Sequence, residues 1–241
     1  MNRRAFAVCG AVAAVGLWMP SSATAATKKR CAPTRIIVLD DNDQEIERYV
    51  FDSDLGYEFN VTPRECRWKR DFFVVRNTVD PTWDDAVMES ASILDDDLTH
   101  KKVGFVSGGD ASRRDGQVVV SYDPSLLDDG YLGMAWYWVR NRDRETIIAA
   151  KIVMAVGPED RDFLPTMIHE LGHAVGLGHE SRTDANGEPV AVMHPYIGEF
   201  RDYQEDDLKG FARLRYRSSA AERRRRRSIR RRERRRRRRQ R

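Results

Sequence analysis

Four of the five histidines, His169, His173, His179 and His194, crowd into one short stretch of the 241-residue chain. Three of them stand in His169-Glu170-Leu171-Gly172-His173-Ala174-Val175-Gly176-Leu177-Gly178-His179. On a helix, residues four apart lie on one face a turn apart, so His169 and His173 can offer two imidazole nitrogens to one ion. Gly176 permits the sharp turn that ends the helix, and His179 can return as a third ligand. Three neutral imidazoles leave a fourth zinc position open, the arrangement of a catalytic rather than a closed structural site. Glu170 follows the first ligand and can lie beside the metal without binding it, where a carboxylate acts as general base. A lone histidine on a helix is usually a surface or core residue; four together at this spacing are not explained that way.

These residues need a helix, a turn and a wall to position them. A helix is expected from near Phe163 to near Gly176, capped by Asp162 or Thr166 and preceded by the Gly157-Pro158 stop. Asp184 to Gly187 reads as a turn, and Gln204 to Tyr216 as an amphipathic helix with Leu208, Phe211, Ala212 and Leu214 on its apolar face. Upstream, strands are expected at Thr34–Leu39, Asp71–Asn77, Lys102–Ser107, Gln117–Tyr122, Tyr131–Arg140 and Thr146–Val156. Between the second and third of these, Trp83, Val87, Ala91, Leu94 and Leu98 recur at helical spacing. The order implies an α+β fold, one mixed twisted sheet with few helices.

The full histidine pattern resembles that of the metzincin zinc endopeptidases. That family places a methionine-bearing turn beneath the metal, and Val192-Met193-His194-Pro195 resembles it, with Met193 in the methionine's position. The short gap from His179 to Met193 is similar to the matrixin-like branch, including its small bacterial members. Two departures stand out. Matrixins usually follow the turn methionine with tyrosine, where this chain has His194. The Glu180 after the third histidine resembles astacins, but Tyr196 lies one position too far for their metal-binding tyrosine. The resemblance covers about residues 71–216. It implies one catalytic zinc held by His169, His173 and His179, Glu170 as general base, and an extended peptide substrate paired with a sheet edge at Tyr131–Val139.

The net charge of +4 conceals a segregation. Residues 217–241 hold sixteen arginines and two glutamates, while residues 26–216 carry a net −12. The body is acidic and the tail is basic. Such arginine blocks bind polyanions, nucleic acid included, without sequence preference. No apolar run reaches the ~18–20 residues of a membrane span. Arg3 and Arg4, the apolar stretch to Met19 and Ala23-Thr24-Ala25 read as a secretory signal peptide over residues 1–25, implying a secreted, extracellular protein. Residues 26–70 then read as an N-terminal segment with a pro-region as one reading, residues 71–216 as the peptidase domain, and 217–241 as a disordered tail.

Loss of the leader removes Cys9 and leaves Cys31 and Cys66. An even pair in an oxidising compartment points to a disulfide. The alternative is that the Cys66 thiolate caps the metal until its segment is cut away. Asp123, Asp128 and Asp129 offer a calcium site only if they converge, and solvated turns are the commoner meaning of such acids. The sequence therefore points to a zinc endopeptidase acting on protein or peptide. Two other readings remain: an inactive zinc-bearing binding module, and a polyanion binder working through the tail.

Overall fold

The computed structural model describes residues 30–51, 66–68, 72–98 and 102–214. The expected signal peptide (1–25) and arginine tail (217–241) lie outside the described residues. No described helix is long and apolar enough to cross a membrane.

Eight strands form one sheet: β1 (Thr34–Leu39), β2 (Glu45–Phe51), β3 (Arg67–Trp68), β4 (Phe72–Asn77), β5 (Lys102–Ser107), β6 (Gln117–Tyr122), β7 (Gly133–Arg140) and β8 (Asp143–Met154). Their spatial order is β2-β1-β7-β8-β6-β4-β5, and β3 pairs with β8 off this path. The β6, β4 and β5 ladders are parallel, whereas β7–β8 and β1–β2 are antiparallel. The sheet is therefore mixed, as expected.

Helix α1 (Asp84–Asp97) buries Val87, Ala91 and Leu94 against this sheet, and Trp83 sits just before it in a 3-10 turn. That turn starts cleanly because Pro81 presets the first φ while Asp80 accepts from the Thr82 N–H at 2.8 Å. Helix α2 (Phe163–Ala174) is buried along most of its length, and a third helix, α3, covers 205–214. The main core gathers Phe73, Val75, Val118, Val120, Tyr137, Ile152, Phe163, Met167 and Leu171 between sheet and helices.

Two expectations change here. Residues 131–139 were expected to form a free edge, but β7 is an inner strand. Its flank carries β1 in parallel, in register from Arg35↔Trp136 to Leu39↔Arg140. The physical reason is burial: Ile36 and Val38 of β1 are fully enclosed in the main core, and that apolar face needs a neighbour. The second change is β2, whose Glu-Ile-Glu-Arg run hides its strand character behind charge. It forms the outer strand of a hairpin with β1.

Candidate metal centre

Helix α2 carries three of the site's residues on its inner face, and all are buried: His169, Glu170 and His173. The helix ends abruptly. Gly176 takes φ +105°, the Leu177 N–H reaches back to the Gly172 carbonyl at 2.9 Å, and the Gly176 N–H bonds the His173 carbonyl at 2.9 Å. This is the glycine-terminated helix end that satisfies otherwise orphaned carbonyls. A Cβ at Gly176 would overlap the Cys66 carbonyl oxygen, so the turn is packed tightly as well as strained. Trp68 closes the same end by donating its indole N–H to the Ala174 carbonyl at 2.9 Å.

The turn brings His179 back onto the helix. Its Nε2 lies 3.2 Å from His169 Nε2, which lies 3.0 Å from His173 Nε2. The outer nitrogens are pinned: His169 Nδ1 faces the Val192 carbonyl at 2.7 Å, and His173 Nδ1 faces the Leu177 carbonyl at 2.9 Å. A carbonyl only accepts, so each Nδ1 carries the proton and each Nε2 presents a lone pair. Lone pairs aimed at one another repel unless a cation lies among them. Two nitrogens each ~2.0–2.1 Å from a tetrahedral ion stand roughly 3.3 Å apart, close to the spacings observed. The donor set fits zinc. Burial holds the imidazoles neutral, pushing His173 down to about 4 and His169 and His179 well below their ordinary value.

Burial also lifts the Glu170 carboxyl to about 8, opposed by the nearby Cys31 thiol. Its two oxygens accept no hydrogen bond of ordinary geometry among the described residues. A buried carboxyl without conventional partners is expensive. It has room because Gly133 of β7 lacks a side chain: a Cβ there would press on Glu170 Cγ and Oε1, both at 2.9 Å.

Met193 lies beneath the helix, in a turn closed by the His194 N–H to the Ala191 carbonyl at 3.2 Å. Its sulfur occupies the space that a Cβ at Gly172 would need. Asp207 of α3 holds this turn by accepting from Val192 N at 2.9 Å and Met193 N at 3.2 Å. The Glu180 N–H bonds the Met193 carbonyl at 2.8 Å, which ties the third histidine's loop to the same turn.

The cysteine expectations are corrected. Cys31 and Cys66 are both buried and no disulfide joins them, so the expected bridge does not form. Each thiol is committed elsewhere. Cys66 Sγ donates to the Arg144 carbonyl at 3.2 Å, in the packing behind the helix end. Cys31 Sγ, His169 and Glu170 bring their ligand atoms within 4.8 Å of one another. The thiol at the centre is therefore Cys31 and not Cys66. Cysteine parity in the sequence carried no information about where either sulfur points. Burial first, and then the Glu170 charge, push the Cys31 thiol well up.

Gly133 and Asp207 were not singled out from the sequence. A glycine at the start of a strand beside the motif, and an acid within an otherwise amphipathic helix, were the available signals. Of the acids that would bind calcium only if they converged, Asp123 caps a turn, the commoner role, by accepting from Ser125 N at 3.0 Å and Ser125 Oγ at 2.6 Å. Among the described residues, Asp128 and Asp129 belong to neither group of converging ligand atoms.

No protein-family model matches the chain, and no curated protein matches it in sequence. Among solved structures it is similar to myroilysin, at 12% identity and a TM-score of 0.39, over 63% of this chain and 82% of that one. A second myroilysin structure gives 10% identity and 0.37, over 61% and 85%. High choriolytic enzyme 1, a hatching enzyme zinc-protease from the medaka fish Oryzias latipes, gives 12% and 0.34, over 62% and 94%. The reading of the centre rests on its own residues.

Proposed function

We propose that the chain is a zinc-dependent endopeptidase of the metzincin kind, seen here in a closed form. One observation carries the proposal: three Nε2 atoms converge beside a buried carboxyl that has no conventional hydrogen-bond partner among the described residues. Zinc held by His169, His173 and His179 supplies a Lewis acid that acidifies water toward a pKa of ~7 and polarises a carbonyl. The charge of bound zinc would favour the Glu170 carboxylate against its burial; Glu170 would then take the proton as the water oxygen attacks the peptide carbon, and deliver it to the departing amine nitrogen as the C–N bond breaks. The Val192 and Leu177 carbonyls keep His169 and His173 in the ligating tautomer. The turn holding Met193 serves as the family's methionine turn and supports His169 from below.

The closed form follows from residues 30–39. Ala32 N–H bonds the Gly133 carbonyl at 3.0 Å, Leu132 N–H bonds the Arg30 carbonyl at 3.0 Å, and Cys31 N–H bonds the Pro195 carbonyl at 2.9 Å. The segment fills the groove between β7 and the loop at Pro195, where a substrate strand would add to the sheet. Cys31 then sits where the substrate carbonyl would have to enter. Residues 26–70 accordingly act as a pro-region, and the leader sends the protein out of the cell.

The test pairs metal analysis with cleavage of a denatured protein by the full chain and by Cys31→Ala. One zinc per chain, chelator-sensitive cleavage and a faster Cys31→Ala variant are expected. Stoichiometric zinc with no cleavage by either form would make the protein a binding module.

A further inference from the structure

The strand in the groove is held by more than backbone pairing. The Arg30 guanidinium lies over the Tyr131 ring, 5.3 Å from its centroid, and the Arg35 guanidinium over the Trp136 ring at 5.7 Å. The Arg30 backbone also bridges Tyr131 on one side and Tyr196 on the other, which fixes where this side chain leaves the strand. Both aromatic rings belong to the wall of the groove and both are half-buried. The indole N–H of Trp136 is buried and makes no hydrogen bond among the described residues, so this ring keeps a donor that the present occupant does not use. Lys151, paired with Trp136 across β8, also lies 5.7 Å from the same ring, so this ring already takes a cation from within the sheet. Residues 26–216 as a whole carry a net −12.

We infer that Tyr131 and Trp136 are subsites for cationic side chains, so that the peptide this groove takes as substrate carries arginine near the cleaved bond. The inference rests on reading the groove as a substrate site. It does not depend on strand direction, because cross-strand neighbours share a face of the sheet in parallel and antiparallel pairing alike. A flat guanidinium over an aromatic face gains from the ring quadrupole and keeps its N–H groups free for water or carboxylates. Lysine fits the same subsites with a smaller contact. A neutral side chain of equal length leaves the ring faces without their electrostatic partner.

The experiment uses the full zinc-loaded chain with Glu170→Gln, so that added peptide is bound and not consumed. The probe peptide copies residues 30–39 with alanine at the cysteine position, and its twin replaces both arginines with citrulline, a neutral isostere. Displacement of β1 is read as faster amide exchange at residues 34–39 of the isotope-labelled chain. The arginine peptide is expected to displace β1 at a concentration roughly ten-fold lower than its twin. That ratio should shrink several-fold in Trp136→Leu and in Tyr131→Leu. Equal potency of the twins, an unchanged ratio in both variants, or no displacement by either peptide at millimolar concentration would each overturn the inference. Hydrolysis by the wild-type chain is scored separately. Preference for the arginine peptide without any hydrolysis would sink the peptidase reading and leave the subsites standing.

Discussion

On one side of the centre, His169, Glu170 and His173 come from a single twelve-residue helix. On the other side, Arg30 to Leu39 arrive from the opposite end of the described chain and lie along β7. The helix wall is held by local bonds and a packed core. The groove wall is held by a strand ladder, by Ile36 and Val38 packed in the same core, by two arginine–aromatic contacts and by a set of ion pairs at its far end. Local bonding makes the helix wall rigid and ties its failure to that of the core. The groove wall contains contacts that can be released one at a time. Substitutions can be ranked by how deeply they cut into each wall.

The largest effect is expected at the helix wall from Glu170→Gln. Gln is nearly isosteric and still hydrogen-bonds water, but it does not accept a proton at neutral pH. Loss of the base should cost ~10²–10⁴-fold in rate, equivalent to about 3–5 kcal/mol of barrier. Zinc content and melting temperature should stay close to wild type. A variant that keeps more than about a tenth of wild-type activity shows that another group takes the proton.

Gly176→Ala comes next, and it acts on stability. The φ of +105° is strained for alanine, and the added Cβ runs into the Cys66 carbonyl, a backbone atom that cannot swing aside. Roughly 3–4 kcal/mol should be lost in urea unfolding of the full chain. A loss under about 1 kcal/mol would mean that the turn carrying His179 is not pinned as described.

Asp207→Asn should cost about 2 kcal/mol. Its two oxygens take N–H bonds from Val192, Met193 and Gln204, the last at 2.8 Å. Asparagine has one acceptor oxygen, so its amide group must face a donor it cannot bond. The Val192 carbonyl orients His169, so the disturbance also travels to the metal. Zinc affinity, read by competition with a chromogenic chelator, should fall about ten-fold or more. Lost stability with unchanged zinc affinity would separate the turn from the ligand it supports.

The two walls also differ in how far the sequence revealed them. The helix wall was legible because its information is local. Histidines four apart and a glycine at the stop need only the helix period to interpret, as do Val87, Ala91 and Leu94 on α1. The groove wall depended on contacts distant in sequence. The Thr34–Leu39 run announced a strand, but nothing in it chose β7 over another partner. Glu45 and Glu47 masked β2, since charge on the exposed face of an outer strand looks like loop. The cysteine pair suggested its own partner, yet Cys31 turns to Glu170 and Cys66 to the Arg144 carbonyl. Gly133 matters only because Glu170 packs against it from another element.

The smallest effect, and the finest test of the comparison, is at the tip of the β1–β2 hairpin. Asp43 turns the chain with φ +63°, and Arg140 of β7 holds it through a 2.8 Å ion pair. Arg140 also reaches Asp115 at 3.7 Å and the Asp40 carbonyl at 3.4 Å, while Arg113 adds a 3.4 Å contact to Asp43. Asp43 is about half exposed, with a side-chain exposure of 48%, so water and salt screen the pair. Arg140→Ala should therefore cost only about 0.5–1 kcal/mol overall. Its signature is local: amide exchange should quicken in β1 and β2 and stay unchanged in α2. Added salt should quicken the same amides in the wild type and have little further effect in the variant. If α2 loosens equally, the hairpin and the helix open as one unit. Release of the groove would then require unfolding the metal site, and the segment at residues 30–39 could not serve as a removable occupant.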